Sequence, residues 1–547
     1  MRFNEIFTVT CNENESAAKS GNISPVFTLH ITKQPQTMDA WSIILLLIPI
    51  FLSVIIAFLL FPSKKPPLPP GPPSIPILGS LLWLRHSISL FNIEILLRKL
   101  RSELGPIITL RFGSQPAIFI VDRSLAHKAL VELGASFSSR PPPSSFSRFH
   151  NSRILNISSS PYGDQWRLLR RNLTSEILHP VKIKLFAPGR RWVLDLLLND
   201  LQTRSEQSPE RAVVAMKSFQ LAMFALLVLM CFGEKLDEKA IREIETAQRE
   251  LLLYTSKYMR VFAFVPKLFS RFMFQGRLRT VARLRQRQTD LFLPLISARR
   301  ENQKQAREQR FVYSYVDSLL DLSLAEEAGS QLTDDEIIPL CSEFLIAGTD
   351  TTAAALQWIM AEITARTAVQ AKLLEELKGI NEEEIKEEYL QKLPYLKAVV
   401  LEGLRRHPPA HLVLPHSVIK DVEFEGYLIP KNASVNFTAA DMGWDEKLWE
   451  EPMEFKPERF MAGGDGEGVD ITGNREIKMM PFGVGRRICP GLGLAMLHLE
   501  YFVANLVREF EWAAVDGEEI DFSEKSEFTV VMLNPLRARI NLRRKVY

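Results

Sequence analysis

The stretch "PFGVGRRICPG", Pro481 to Gly491, is the tightest constraint in the 547-residue chain. Gly483, Gly485 and Gly491 let the backbone turn sharply and approach a flat ligand closely. Pro490 removes one amide donor and fixes its own φ. Among them sits Cys489, one of four cysteines, two residues after Arg487 and three after Arg486. Cationic neighbours lower the pKa of a thiol. The next run, "LGLAMLHLEYFVANLV", predicts a helix whose N-terminus also favours a thiolate. A thiolate held this way can be a proximal ligand of heme iron. The same residues allow a plainer reading, a buried structural cysteine in a Gly-Pro turn. Cys11, Cys231 and Cys341 are scattered and lack CxxC spacing, which argues against a disulfide framework or a zinc site and for a reducing compartment.

A chain this long exceeds one compact core, so a large two-lobed domain or two domains are expected. With 46% hydrophobic and 24% charged residues it reads as folded. Its net charge of +3 is too small to argue for nucleic acid. Trp41 to Phe61, "WSIILLLIPIFLSVIIAFLLF", carries no charge over 21 residues. That suffices to cross a hydrocarbon core of about 30 Å as a helix, with Pro49 a tolerated kink. Lys64 and Lys65 come next, so everything after residue 62 is expected to face the cytosol. A cleaved signal peptide competes, but the run is longer than an h-region and no small-x-small site ends it. Residues 1–37 are polar with balanced charge, unlike a transit peptide, and Met38 stands just before the apolar run. They read as an extension from an over-long gene model, and "NIS" at Asn22 as a chance tripeptide.

"KKPPLPPGPPSIPILGS", Lys64 to Ser80, is a stiff proline-rich hinge. The expected organisation is 1–37 extension, 41–61 transmembrane anchor, 62–80 hinge and 81–547 main folded domain. "ITLRFGSQPAIFIVD", Ile108 to Asp122, predicts a hairpin about a Gly-Ser-Gln-Pro turn. "EFTVVM", Glu527 to Met532, predicts a late strand. "RRWVLDLLLNDLQ" and "FQLAMFALLVLMCFG" predict buried helices. "EELKGINEEEIKEE" reads as a solvated charged face, and "MAGGDGEGVDITGN", Met461 to Asn474, as a loop. The fold class is mainly α with a small β-sheet region.

Four further blocks carry chemistry. "FLIAGTDTTAAALQWIM", Phe344 to Met360, is apolar helix around a polar centre. Gly348 with its threonines is poor helix chemistry, which predicts a local opening of the helix. Asp350 and Thr351 could pass protons there; back-bonding of the threonines to the chain is the plainer alternative. "AVVLEGLRRHPP" puts Glu402 and Arg405 three residues apart, by itself an ordinary ion pair of small worth. "FKPERF" supplies Arg459. "PYGDQWRLLR" puts Trp166 and Arg170 on one helix face, where core packing would also account for the tryptophan.

Together these blocks resemble the cytochrome P-450 monooxygenases. The cysteine loop matches FxxGxRxCxG at Phe482, Gly485, Arg487, Cys489 and Gly491. "AGTDTT" resembles the oxygen-activation motif, Glu402 with Arg405 the ExxR block, "PERF" its partner, and "WRLLR" the WxxxR motif. "WRLLRRNLTSEILHP", "FALLVLMCFGEKLDEK" and the cysteine loop look like plant family eighty-nine, subfamily A. The resemblance covers residues 41–547. It implies the P-450 fold behind a single-pass N-terminal helix, and heme b (iron protoporphyrin IX) with Cys489 as axial thiolate. Phe482 would pack near the sulfur. Trp166, Arg170, Arg487 and, by "LPHS", His416 would serve the propionates. Asp350 would relay protons and Thr351 hold a hydrogen bond to dioxygen.

The resemblance also implies an endoplasmic-reticulum enzyme that takes a hydrophobic small molecule and O2. The chain has no flavin or nicotinamide fingerprint, so an NADPH–cytochrome P-450 reductase carrying FAD and FMN is the expected partner, docking on Arg167, Arg171 and Arg486. The implied substrate wall is Ser144–Ile157, Phe344, Ala347, Leu412–Leu414 and Thr529–Met532. Two other classes compete: a reductase-independent, hydroperoxide-rearranging heme enzyme, and a non-catalytic heme carrier. The intact Asp350–Thr351 pair argues against both, and a membrane scaffold would leave all five blocks unexplained.

Overall fold

The computed structural model describes residues 49, 66–73, 93–112, 115–142, 156–258, 274–305, 312–324, 330–380, 382 and 384–543. The chain divides into compact units at Met1–Pro66 and Pro67–Tyr547, and the second is the body that holds the sheets and long helices. The expected extension lies outside the described residues, as do the anchor apart from Pro49 and most of the hinge. The hinge's described part, 66–73, has no regular secondary structure. Its backbone is already stitched to the body: Leu428 N donates to Pro67 O at 2.8 Å and Thr109 N to Pro70 O at 2.8 Å.

The body is mostly helical, with short strands at its edges. Helix α1 is Ile93–Leu104 and packs on strand β1, Ile107–Phe112. Strand β2, Gln115–Ile120, pairs antiparallel with β1 in register Ile107↔Ile120 to Phe112↔Gln115. Gln115 and Pro116 therefore belong to the strand, not to the expected four-residue turn. Pro116 is tolerated near a strand start, where its missing donor costs least. Helix α2 is Asp164–Asn172, α3 is Ala187–Gln207, strand β3 is Ala212–Val214 and helix α4 is Ala215–Phe232. Helices α5, Glu238–Tyr258, and α6, Gln275–Gln305, come next, then the long α7, Asp334–Ala365, and α8, Pro394–Arg406. Strands β4, His416–Ser417, and β5, Ser434–Phe437, close the first sheet in the order β1-β2-β5-β4. Helix α9, Leu492–Glu509, precedes β6, Phe510–Ala513. Strands β7, Glu524–Ser526, and β8, Val530–Met532, form a hairpin, so the expected strand over Glu527–Met532 is confined to its second half. Strand β9, Arg537–Leu542, lies between β6 and β3 in the second sheet.

Helix α4 is apolar around most of its circumference, and a helix of that kind must be largely buried. Among the described residues it is the one helix long and apolar enough to cross a membrane, yet it is 89% buried inside the body. It packs on α3 and, most extensively, on α7. The expected opening of α7 is absent: the helix runs unbroken through the AGTDTT stretch. Gly348 serves packing instead, because a Cβ there would meet Leu227 Cδ1 of α4 at 2.7 Å.

The charged run after α7 is also less exposed than expected. Glu376 accepts the amides of Tyr395 and Leu396 at the start of α8, and Glu387 pairs with the fully buried Arg190. Charges that periodicity assigns to water are claimed by buried donors. Glu402 and Arg405 are likewise fully buried, at 2.6 Å and 2.8 Å, with Arg459 Nε at 3.2 Å. Arg405 also donates to the carbonyls of Gly443 and Pro452 at 2.6 and 2.8 Å. This is no surface pair: it ties α8 to the segment 443–459. Removing one partner of a buried, satisfied pair leaves a naked charge and costs about 3–5 kcal/mol. Glu402→Gln is therefore expected to lower unfolding free energy by about that amount in denaturant titration, and a change below about 1 kcal/mol would contradict it.

Candidate active site

The cysteine loop takes its shape from two left-handed glycines, Gly483 at φ 66° and Gly485 at φ 75°. At Gly485 a side chain is doubly forbidden, since a Cβ would lie 2.1 Å from Leu130 O. Cys489 N donates to Phe482 O at 2.9 Å, which closes the loop ahead of α9. Phe482 is half-buried against the main core.

The expected thiolate does not arise from these surroundings alone. Burial pushes the Cys489 thiol up, against the pull of the Gly491 N–H and the Arg170 guanidinium. The adjacent cations are directed elsewhere. Arg486 donates to Tyr162 Oη at 2.6 Å, and Arg487 turns away into the body.

Arg487 donates to the carbonyls of Ser138, Ile157 and Ser160 at 2.6, 3.1 and 2.7 Å, and stacks 4.1 Å from the Trp166 ring. Trp166 Nε1 donates to the same Ile157 O at 3.0 Å, and Arg170 Nη2 to Ile488 O. A third guanidinium, Arg140, joins them and donates to Ser158, Leu414 and Pro415 carbonyls at 2.7, 2.8 and 2.9 Å. Burial and mutual repulsion bring Arg140 down to about 10 and Arg487 to about 9, and burial also lowers Arg170. Glu343 of α7 faces this cluster and accepts the amides of Ile157 and Ser158 at 2.6 and 2.7 Å. Burial raises its pKa. His416 points Nδ1 at Phe137 O, 2.7 Å away; burial and the neighbouring Arg140 hold it at about 3, so the ring is neutral.

Carbonyl oxygens satisfy N–H groups but cancel no net charge. Two buried guanidiniums, Arg140 and Arg487, and the half-buried Arg170 beside the Glu343 carboxylate, itself biased toward protonation, leave positive charge that suits a dianion. That is what the two propionates of heme would supply, next to a sulfur donor on a Gly-built loop. The residues present fit the group.

On α7, Thr351 Oγ1 donates to Ala347 O at 2.6 Å, and Thr349 Oγ1 to Leu345 O at 2.7 Å. This is the back-bonding alternative. Asp350 accepts from Arg249 of α5 at 3.0 Å and from Gln220 of α4 at 3.3 Å. Burial raises its pKa against Arg249. It opens on a narrow cleft shared with Glu245, Gln248 and Thr349. The acid and the alcohol are adjacent in sequence but hydrogen-bond to different elements.

Sequence reasoning missed Arg140, Glu343, Arg249 and Gln220. A signal existed for Glu343: one carboxylate in the apolar run before AGTDTT must find donors if buried. None existed for Arg140, whose role comes from contacts across 274 residues. Glu343→Leu strips acceptors from two buried amides, at about 1–3 kcal/mol each. Heme content per chain, by pyridine hemochrome, and melting temperature are expected to fall together, and full occupancy with unchanged melting would contradict this role.

The profile of the Cytochrome P450 family matches residues 69–542. Cytochrome P450 89A9 of Arabidopsis thaliana is 45% identical over 522 residues, spanning 93% of this chain and 100% of that protein. Flavonoid 3'-monooxygenase of Arabidopsis thaliana is 30% identical over 505 residues, 89% of this chain and 96% of that one. A solved structure of a zebrafish cytochrome P450 with progesterone superposes with a TM-score of 0.66 at 19% identity, covering 82% of this chain and 99% of that chain.

Proposed function

The chain belongs to the cytochrome P450 family of heme-thiolate monooxygenases, and from that premise we propose that it inserts one oxygen atom of O2 into a hydrophobic plant metabolite beside Asp350 and Thr351. The single observation that carries this reading is the acid–alcohol pair on α7, with Asp350 braced by Arg249 and Gln220. Rearranging enzymes and heme carriers have no use for it.

Bound heme supplies the redox chemistry, a thiolate ligand favouring O–O cleavage. Cys489 would hold the iron, with Phe482 beside the sulfur. Trp166, Arg170 and Arg487 would serve the propionates, and His416 would pack as a neutral ring. Arg140 adds charge to the same set. Asp350 is poised to hold a proton at its carboxyl, because burial favours the neutral form. Its link to Arg249 keeps it from doing so permanently. Thr351 can donate toward the site only by giving up Ala347 O. The exposed Ala347 and the buried Phe344 offer an apolar face nearby.

The substrate class we favour is a specialised metabolite or pigment catabolite, supported by that apolar lining and by the name of the relative called flavonoid 3'-monooxygenase. Electrons would come from the FAD/FMN-containing NADPH reductase at the endoplasmic-reticulum membrane, where Trp41–Phe61 would anchor the chain with its body in the cytosol. Arg167 pairs with Asp164 and Arg486 with Tyr162, which makes the exposed Arg171 the best candidate to steer an acidic partner.

With reductase and NADPH, Thr351→Ala is expected to lower product per NADPH by about tenfold or more and to release peroxide instead, within the span of one lost proton-delivering group. Unchanged coupling, or turnover without NADPH, would overturn the reading. Arg171→Glu is expected to slow first-electron reduction about tenfold at low salt in stopped flow, with substrate affinity unchanged. Equal reduction rates would remove Arg171 from the docking face.

A further inference from the structure

The β7–β8 hairpin is strapped along α7 at three heights. Near Asp350, Glu527 Oε2 of the hairpin turn lies 3.8 Å from Arg249 Nη2, whose Nη1 holds Asp350. Midway, Trp358 Nε1 donates to Val530 O at 3.1 Å, while Val530 N donates to Pro409 O at 2.9 Å. Near the helix end, His407 stacks on Trp358 at 4.2 Å with 4° between the rings, and its Nε2 meets Glu362 Oε1 at 2.8 Å. Residues 350 to 362 span roughly 18 Å of helix.

What holds the foot of the strap is a carboxylate between two imidazoles. Glu524 Oε1 lies 3.8 Å from His407 Nδ1, and Oε2 lies 3.2 Å from His411 Nε2. Neither nitrogen has an aligned hydrogen-bond partner. The outer nitrogens face carboxylates too: Glu362 for His407, and Glu94 of α1 at 3.6 Å from His411 Nδ1. Arg366 pairs with Glu362, and Arg406 lies near both Glu362 and Glu524.

We propose that Glu524, gripped between His407 and His411, is a positioning residue that fixes the β7–β8 strap along α7 and so sets the wall that Val530 and Met532 present beside the Asp350–Trp358 stretch. The functional part of this rests on α7 being the catalytic face. The clamp itself does not.

The charges favour a permanent lock at neutral pH. Contacts with His407 and His411 hold Glu524 at about 2 although burial opposes them. Glu524 and then Glu94 raise His411 to about 9, again against burial. His411 is raised, so its contribution is complete below the ordinary 6.5 and is lost as pH climbs through about 9.

Hydrogen–deuterium exchange mass spectrometry on the full heme-loaded chain in lipid discs tests the clamp. In Glu524→Gln, amides of 524–533 are expected to exchange about tenfold faster at neutral pH, while 394–406, with the Glu402 pair, stay protected. Exchange at the imidazole C2 carbon is expected to show the His411 midpoint falling by about one unit, a tenfold loss of proton affinity. Glu94→Gln should also lower that midpoint but leave the strap's exchange unchanged, because Glu94 is not on the strap. Unchanged strap exchange in Glu524→Gln, an equal rise in Glu94→Gln, or loosening across the whole body would each overturn the proposal. Should Glu524→Gln fail to fold, the wild-type chain taken from about pH 8 to about pH 10 must show strap exchange accelerating relative to 394–406; a constant ratio overturns it. No turnover enters the test, so failure of the monooxygenase reading would leave these results as they are.

Discussion

Buried positive charge around the cysteine loop is the constraint on which the rest of the site depends. Arg140, Arg170 and Arg487 converge behind Cys489 with the Glu343 carboxylate facing them. Their N–H groups are satisfied by carbonyl oxygens, which is how the chain can hold them together at all. Their charge is not satisfied. A dianionic cofactor resolves that, and the fold shows how it is prepared: Ile157 O takes both Trp166 and Arg487, while Glu343 fixes the Ile157 and Ser158 amides from α7. The helix that carries the acid–alcohol pair thus also braces the cation cluster.

Around that centre the structure uses two kinds of ionic link. Glu402, Arg405 and Arg459 are wholly buried and fully hydrogen-bonded, which makes them a rigid tie. The Glu524 clamp is more exposed, longer and poorly aligned, so its hold depends on His411 keeping its proton. Asp350 sits between the two regimes: held by Arg249, yet biased by burial toward the form that carries a proton.

Much of this was legible in the sequence. Periodicity located α3, α4, α7, α8 and α9, and the Gly-Pro-Cys spacing located the loop. Other features were not legible, for identifiable reasons. Helix propensity misread Gly348 as a break because it knows nothing of Leu227, whose side chain needs the space. Charge adjacency predicted a low Cys489 pKa, but adjacency in sequence is not direction in space, and Arg486 and Arg487 point away. Burial then decides the sign. Glu376 and Glu387 looked solvated because their partners, the amides of α8 and the guanidinium of Arg190, are distant in sequence. Arg140 carried no local pattern whatever.

A thiol that burial keeps protonated becomes a ligand only when a metal takes the place of its proton. The reduced carbon monoxide difference spectrum of the purified full chain, with Cys489→Ser beside it, therefore tests Cys489 ligation most directly. Ligation by this sulfur requires the strongly red-shifted Soret band of thiolate-ligated heme in the native protein and its loss in the variant. A band of the imidazole-ligated type in the native protein, or the same spectrum from both proteins, would contradict it.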